Sequence, residues 1–534
     1  MPQQLAFELE VAGIERRGDR ITAWGRCADA DMNRLHFVDD SSGASVPARY
    51  GFAFPELDLG PGNGSPSANG FVLSAGVPTS ATVLHPVATS ADGTRCVAAP
   101  LRLPASLPEP LSPAHSLGMT AAAAMARLLH GDLRGFVQDA RRRLGIGGDG
   151  LGPAQRGGLI KAVAALRTDV LLLVDHQLGG GSKIYRDALL AEAAGQGQPA
   201  LLLQYHESAA AYLWTLHTPG GIRRFVTESL GSLLALLDSG YIHALTLNNC
   251  VSYPNPLDLV AILALSARRH GLTVRVPVHD YFCICPSFPL LDHTGRHCGV
   301  PVLSVCEGCM ARNTLPFMKR SPRTALTPWR LVWRELLARS TVITFCRDSG
   351  RLLRRAYPSL SPEQIRMQPH EPTPFSAATA PRSRSRATSK EKQVAIVGQI
   401  SYLKGADIVA ELVRLIDARQ LPLRVTVIGA LERPIRSRRL RVTGAYRRDD
   451  LPALLARHHP DCVLLPSIWP ETYSLVTAEL MALGLPIIAF DLGAPAERLR
   501  AYHRATLVSE VSAERMLDAI LASFAGKAIH DSSM

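Results

Sequence analysis

The chain has 534 residues, 47% of them apolar, and a formal net charge of +12. That length suits three or four domains and that apolar content several cores, which excludes a disordered or fibrous chain. No apolar run reaches the length of a membrane span, and the start M-P-Q-Q-L-A-F-E-L-E has neither the basic region nor the apolar core of a signal peptide, which predicts a cytoplasmic protein.

Residues 1–110 read as a small all-β, β-sandwich-like domain. Short runs such as Arg20 to Gly25 and Gly70 to Ser74 are separated by Gly, Asp, Ser and Pro clusters, and Gly60 to Gly70 is a long loop. Residues 111–160 form a helical linker, amphipathic from Leu128 to Leu144, then glycine-rich: Gly145 to Gly158 holds seven glycines. From 165 to 375 strands alternate with helices. Asp169–Asp175, Leu201–Tyr205, Ile242–Leu247 and Val274–Asp280 are the expected strands, and the first is a continuous apolar run, as a buried parallel strand should be. Residues 376–393 carry no bulky apolar side chain and read as a linker. A second alternation fills 394–515, with strands Val394–Gly398, Leu423–Ile428, Cys462–Leu465 and Pro486–Phe490, and 516–534 is a C-terminal helix and tail. Two such regions predict two doubly wound α/β domains.

Charge is unevenly placed. Eleven Lys or Arg lie between Arg312 and Arg355 against two acids, Glu335 and Asp348, with Phe317, Trp329 and Trp333 interleaved. Such a segment suits anionic lipid, nucleic acid or a phosphate-rich substrate, or else is a solvated helix whose Trp residues pack inward. Arg433 to Arg448 is a second basic cluster.

Four motifs carry chemistry. His176 to Ser182, H-Q-L-G-G-G-S, follows a strand and precedes a helix, so Gly180 and Gly181 let a ligand approach helix N-terminal amides. His279 and Asp280 lie at the C-terminal end of a strand, where α/β sheets keep their sites. Val397 to Gly405, V-G-Q-I-S-Y-L-K-G, sets Lys404 in a loop opened by Gly398. Pro466 to Glu479, P-S-I-W-P-E-T-Y-S-L-V-T-A-E, holds Glu471 in a loop and Glu479 two turns into a helix, eight positions on, followed by G-L-P-I-I-A-F-D. A diphosphate at that helix start and hydroxyls at the two carboxylates fit the pattern.

Cys285, Cys298, Cys306 and Cys309 sit in a Gly/Pro-rich insertion, 283–310, and C-E-G-C is the two-residue knuckle usual for tetrahedral zinc. The expectation is a structural zinc site; free buried cysteines are the alternative. Ten cysteines without a secretion signal argue for reduced thiols or metal ligands.

The Pro466–Asp491 block resembles the donor site of family 4 retaining glycosyltransferases of the GT-B fold, and the likeness spans about 165–515. It implies a cleft between the two domains and a nucleotide-diphosphate sugar held mainly by the second. Donor contacts are implied at Gly180, Gly181, Gln399, Lys404, Tyr446, Glu471, Thr472, Tyr473, Ser474 and Glu479. Gln399 stands where many members carry arginine. Catalytic roles are implied for His279, Asp280 and Glu471, with no metal needed for the chemistry. A Cys-bearing insertion after H-D-Y recurs in some of these enzymes, and the β-rich start resembles accessory domains of bacterial polysaccharide glycosyltransferases. The expected function is hexosyl or deoxyhexosyl transfer to a glycan or lipid-linked glycan in surface polysaccharide synthesis, with a peripheral contact to anionic membrane and no nucleic acid bound. The rivals are a GT-B sugar-nucleotide epimerase or phosphorylase, an inactive sugar-binding subunit, and a zinc-containing nucleic-acid-binding protein.

Overall fold

Apolar runs bounded by turn residues become strands at nearly every position the sequence marks. The computed structural model describes residues 9–17, 20–27, 35–43, 45–54, 69–89, 95–105, 154–177, 179–206, 209–320, 325–370 and 391–525. The expected helix from Leu128 to Leu144, the glycine run after it up to residue 153 and nearly all of the 376–393 linker lie outside them.

The first unit is antiparallel β. Its strands are β1 (Leu9–Arg17), β2 (Arg20–Cys27), β3 (Leu35–Asp39), β4 (Ser45–Phe54), β5 (Asn69–Gly76), β6 (Val83–Thr89), β7 (Arg95–Val97) and β8 (Leu101–Arg102). They pair in the order β1-β2-β5-β4-β3-β6-β7, with β8 also on β6. Gly13 in β1 leaves room for the Trp24 ring of β2, which a Cβ there would meet at 2.2 Å. Trp24 in turn packs against the core of the next domain. Arg20 Nη1 reaches Asp258 Oδ2 at 2.6 Å, and Glu15 Oε1 accepts from the Ala325 amide at 2.7 Å. The β unit is therefore docked on the neighbouring helices Pro256–His270 and Leu326–Leu337.

The second unit holds β9 (Gln155–Arg156), β10 (Val170–Asp175), β11 (Ala200–His206), β12 (Ala211–Thr218), β13 (Gly221–Thr227), β14 (Ile242–Leu247), β15 (Thr273–Pro277), β16 (Ser340–Thr344) and β17 (Ile365–Met367), in the order β17-β16-β15-β14-β10-β11-β12-β13-β9. Strands β10 and β11 and the run from β10 to β17 are parallel, whereas β12 and β13 form an antiparallel hairpin. Strand order reverses at β10, between β11 and β14, and ligands of doubly wound sheets bind outside the strand ends at that point. The expected strand to Asp280 stops at Pro277, which leaves His279 and Asp280 in the turn beyond it.

The third unit holds β18 (Lys392–Ile400), β19 (Leu423–Leu431), β20 (Leu440–Val442), β21 (Cys462–Leu465), β22 (Ile487–Phe490) and β23 (Ala505–Val508). All are parallel, in the order β20-β19-β18-β21-β22-β23. That is the 3-2-1-4-5-6 sequence of a doubly wound nucleotide-binding sheet, with its switch between β18 and β21. Strand β18 starts at Lys392, inside the expected linker. The two α/β domains face each other across a cleft, as in the GT-B fold.

Of the two readings of the basic segment, its tryptophans follow the inward-packed one. Trp329 and Trp333 are 0% and 3% exposed, and the Trp329 indole donates to the Phe282 carbonyl at 2.8 Å. Their apolar rings prefer the domain core to water. The two indoles of the basic segment are therefore unavailable to a membrane, whereas Phe317 is only half-buried. Among the described residues no helix is long and apolar enough to cross a membrane.

Candidate functional site

The third unit's half of the site is set by backbone contacts that only glycine permits. A Cβ on Gly429 would lie 2.0 Å from Gly398 O, and one on Gly405, at φ 83°, 2.0 Å from Pro466 O. The loop after β18 thus lies directly on the loop after β21, and the Ile468 amide donates to Leu403 O at 3.1 Å. This contact brings Lys404 onto Glu471, with which it forms an ion pair. Eight residues on, Arg448 Nε meets Glu479 Oε1 at 2.5 Å. Each carboxylate is 6% exposed and already faces a cation. Tyr446 lies beside them, its phenol pushed up to about 12 by burial and by Glu479. Gln399 is exposed.

The helix bearing Glu479, Leu475–Ala482, starts from Ser474 at φ 66°, a strained setting for a residue with a Cβ. No side chain caps its first amides, which have no intrahelical acceptor.

The second unit's half is polar and buried. Asp175 ends β10 fully enclosed; burial raises its carboxyl to about 6, although Arg186 Nη1 donates to it at 3.1 Å. His176 Nε2 lies 3.2 Å from Ser182 Oγ. Gly180, at φ 93°, starts the uncapped helix Gly181–Gly195, and nothing lies within 4 Å of where a Cβ on Gly179, Gly180 or Gly181 would be. Asn248 links this loop to the next strand end: its Nδ2 donates to Ser182 O at 3.0 Å and its Oδ1 lies 2.9 Å from His279 Nε2. Asn249 Nδ2 donates to Asp280 Oδ2 at 2.7 Å. Burial holds the His279 imidazole well below its ordinary range, helped by His370 and His176, and raises the Asp280 carboxyl.

Side chains of the two halves meet at the bottom of the cleft. Thr472 Oγ1 donates to His279 O at 2.8 Å, and the Tyr473 hydroxyl donates to His370 O. Phe345 stacks against both His279 and His370, with centroids at 4.9 and 4.2 Å, and the two imidazoles are 6.0 Å apart. The Arg498 guanidinium lies 3.7 Å over the Tyr473 ring. Glu497 accepts the Arg347 and Asp348 amides at 3.1 Å each, which caps helix Arg347–Ala356 from across the cleft.

Residues 379–528 match the family described as Glycosyl transferases group 1. No curated protein matches the chain. Sucrose-phosphate synthase from Thermosynechococcus elongatus is similar in structure at 15% identity and a TM-score of 0.45, over 67% of this chain and 90% of that one. HepE of Anabaena, in complex with UDP, is similar at 14% and 0.40, over 67% and 91%. The catalytic domain of starch synthase IV from Arabidopsis thaliana, bound to ADP and acarbose, is similar at 11% and 0.37, over 67% and 92%. The family match falls on the third unit, which holds Lys404, Glu471 and Glu479.

Of the residues singled out in the sequence, Lys404, Glu471, Thr472 and His279 come together in one constellation, and Gly180 and Gly181 join it through Asn248. Tyr446 and Glu479 stand beside it with Arg448. Tyr473 faces the domain junction, where its ring and hydroxyl are occupied. Asn248, Asn249 and His370 went unmarked, and Arg448 was marked only as the end of a basic cluster. The asparagine pair had a signal: N-N closes the buried run of β14, at a strand end where polar residues face a cleft.

The cysteines gather less closely. Cys306 and Cys309 lie one turn apart on helix Leu303–Arg312, Cys285 Sγ is 3.7 Å from Met310 Sδ, and Cys306 Sγ is 3.6 Å from Pro301 O. Burial raises Cys285 to about 12 and Cys298 to about 11. Among the described residues no three His, Cys, Asp or Glu side chains are set to hold a metal ion. The insertion still touches the third unit: a Cβ on Gly295 would lie 3.0 Å from the Tyr402 hydroxyl.

Proposed function

We propose that this protein is a glycosyltransferase that moves a hexosyl or deoxyhexosyl group, with retention, from a nucleotide-diphosphate sugar to a glycan or lipid-linked glycan during surface polysaccharide synthesis. The observation that carries the reading is the Lys404–Glu471 pair beside the uncapped start of helix Leu475–Ala482, joined to His279 through Thr472. A family match over the same domain supports it.

In this reading the donor exchanges the internal ion pairs for its own contacts. Sugar hydroxyls take Glu471, ribose hydroxyls take Glu479, and Lys404 turns to the diphosphate. Negative charge grows on the leaving phosphate as the C1–O bond breaks. Lys404 and the helix-end amides stabilise it there, where a preorganised donor lowers the barrier most. Gln399 adds no charge. Asp280 orients acceptor or sugar, and the leaving phosphate oxygen receives the acceptor proton in a front-face displacement.

A panel of nucleotide sugars tested by thermal shift decides the matter. The right donor at one hundred times its dissociation constant adds about 2.7 kcal/mol to stability. A panel in which none stabilises the protein would remove the reading, and the anomeric configuration of the product, read by NMR, tests retention separately.

We further propose that the four cysteines close on a structural zinc, for which the thiols must ionise and turn inward. Elemental analysis of protein purified under reducing conditions tests this, and a zinc-free result ends it. In the second basic cluster Arg433, Arg439 and Arg448 are already paired with Asp407, Glu391 and Glu479, which weakens its case as a nucleic-acid surface.

A further inference from the structure

Adjacent asparagines at the end of β14 face an adjacent histidine and aspartate in the turn after β15. Asn248 is 2% exposed and Asn249 is 8% exposed. Both amide orientations are fixed by their partners. Asn248 Nδ2 donates to Ser182 O, a carbonyl that only accepts, so Oδ1 is the atom 2.9 Å from His279. A carboxamide oxygen also only accepts, so the proton of His279 sits on Nε2. The ring is neutral, because burial and the neighbouring His370 and His176 disfavour its charge. Its Nδ1 is then a bare lone pair.

The same logic fixes the second pair. Asn249 Oδ1 accepts the Val251 amide at 2.9 Å, so Nδ2 is the atom that donates to Asp280 Oδ2 at 2.7 Å. Asp280 Oδ1 accepts the Phe282 amide at 2.9 Å. Two N–H donors favour the carboxylate, which accepts and does not donate.

We propose that Asn248 and Asn249 are positioning residues that present His279 Nδ1 and the Asp280 carboxylate as hydrogen-bond acceptors to hydroxyl groups of the transferred sugar. This rests on the glycosyl-transfer reading and adds an orientation to it. The acceptor pair at His279 and Asp280 takes hydroxyls and repels phosphate. The donor therefore lies with its sugar toward the second unit and its diphosphate toward Lys404.

Histidine-selective 15N NMR of the full chain, assigned with His279→Gln, reads the tautomer directly. The expected spectrum shows His279 neutral with its proton on Nε2. Asn248→Asp, which keeps shape and volume, sets a carboxylate on that proton and raises the His279 pKa. Nδ1 then becomes a donor near neutral pH. Turnover with the donor found by thermal shift should fall about tenfold or more, the worth of one hydrogen bond of about 1.4 kcal/mol. It should recover as pH rises, with nucleotide affinity unchanged. Asn249→Leu leaves Asp280 short of a donor and should shift the pH profile of turnover upward.

An Nδ1–H tautomer in the wild type, or a pH profile that Asn248→Asp leaves unmoved, overturns the proposal while leaving glycosyl transfer intact. The expected tautomer without binding of any nucleotide sugar overturns the shared reading, and the sugar assignment with it.

Discussion

The two α/β domains start alike and diverge where ligands bind. The third unit keeps six parallel strands in nucleotide-binding order, and its charged site residues come from two loops locked together by glycine. The second unit adds an antiparallel hairpin and a cysteine-bearing insertion, and its site is assembled from single side chains at the ends of β10, β14 and β15. The contrast suggests a division of labour. One wall supplies fixed charge for a diphosphate, and the other supplies acceptors, His279 and Asp280, oriented by hydrogen bonds.

That division breaks most readily at Glu471. Glu471→Ala strips Lys404 of its partner and the sugar of an acceptor, and turnover should drop about a hundredfold or more. Normal transfer by this variant would end the donor-site assignment. His279→Ala should cost about ten- to a hundredfold in turnover while leaving nucleotide affinity nearly intact, because its contact belongs to the reacting complex. Should affinity fall as far as rate, the two walls are not separate. Glu479→Ala should weaken nucleotide binding in the same proportion as the loss of a charged acceptor, roughly 1.5–3 kcal/mol, with little change in the rate of the bound complex. Calorimetric titration of the nucleotide against both variants sharpens the contrast.

Acid tests the seam between the walls. His370 is pushed down to about 4 by burial and by Arg498, and it faces the rings of Tyr185, Phe345, Tyr473 and His279. Above an unfolded value of about 6.5 it is neutral in both states. Below that, the unfolded chain takes a proton that the folded chain refuses, so stability falls as pH drops from about 6.5 toward 4. Melting temperature across this window should decline, and His370→Phe should flatten part of the slope. The smallest effect belongs to Glu497→Ala, which uncaps helix Arg347–Ala356 at a cost of about 1 kcal/mol. It should loosen the cleft in small-angle scattering without touching the chemistry.

Strands Ile242–Leu247 and Cys462–Leu465 begin and end where the sequence places them, because a short apolar run between polar residues has one buried solution. The charged half of the site was legible for a different reason. Spacing alone did not mark Glu471, Glu479 and Lys404; the flanking P-S and G-L-P-I-I-A around the two glutamates, and Gly398 and Gly405 around the lysine, carried the resemblance that singled them out. Hairpin β12–β13 was missed although Pro219 and Gly220 mark its turn, because β13 carries Arg223 and Arg224 and lacks the continuous apolar run of a buried strand. Asn248 and His370 were not legible as partners of His279. They are 31 and 91 positions away from it in sequence, and only the strand order brings them together.

The glycines that join the loops after β18 and β21 also limit how this site can change. A Cβ on Gly405 would strike Pro466 O at 2.0 Å, and one on Gly493 would strike Pro470 C at 2.5 Å, so both neighbours of the Glu471 loop are backbone that has nowhere to go. Mutational drift is closed at these positions and open at exposed Gln399 beside them. A lineage of such enzymes adjusting to a new donor would therefore alter single side chains on an unaltered main chain, and would reach new sugars by substitution rather than by remodelling loops.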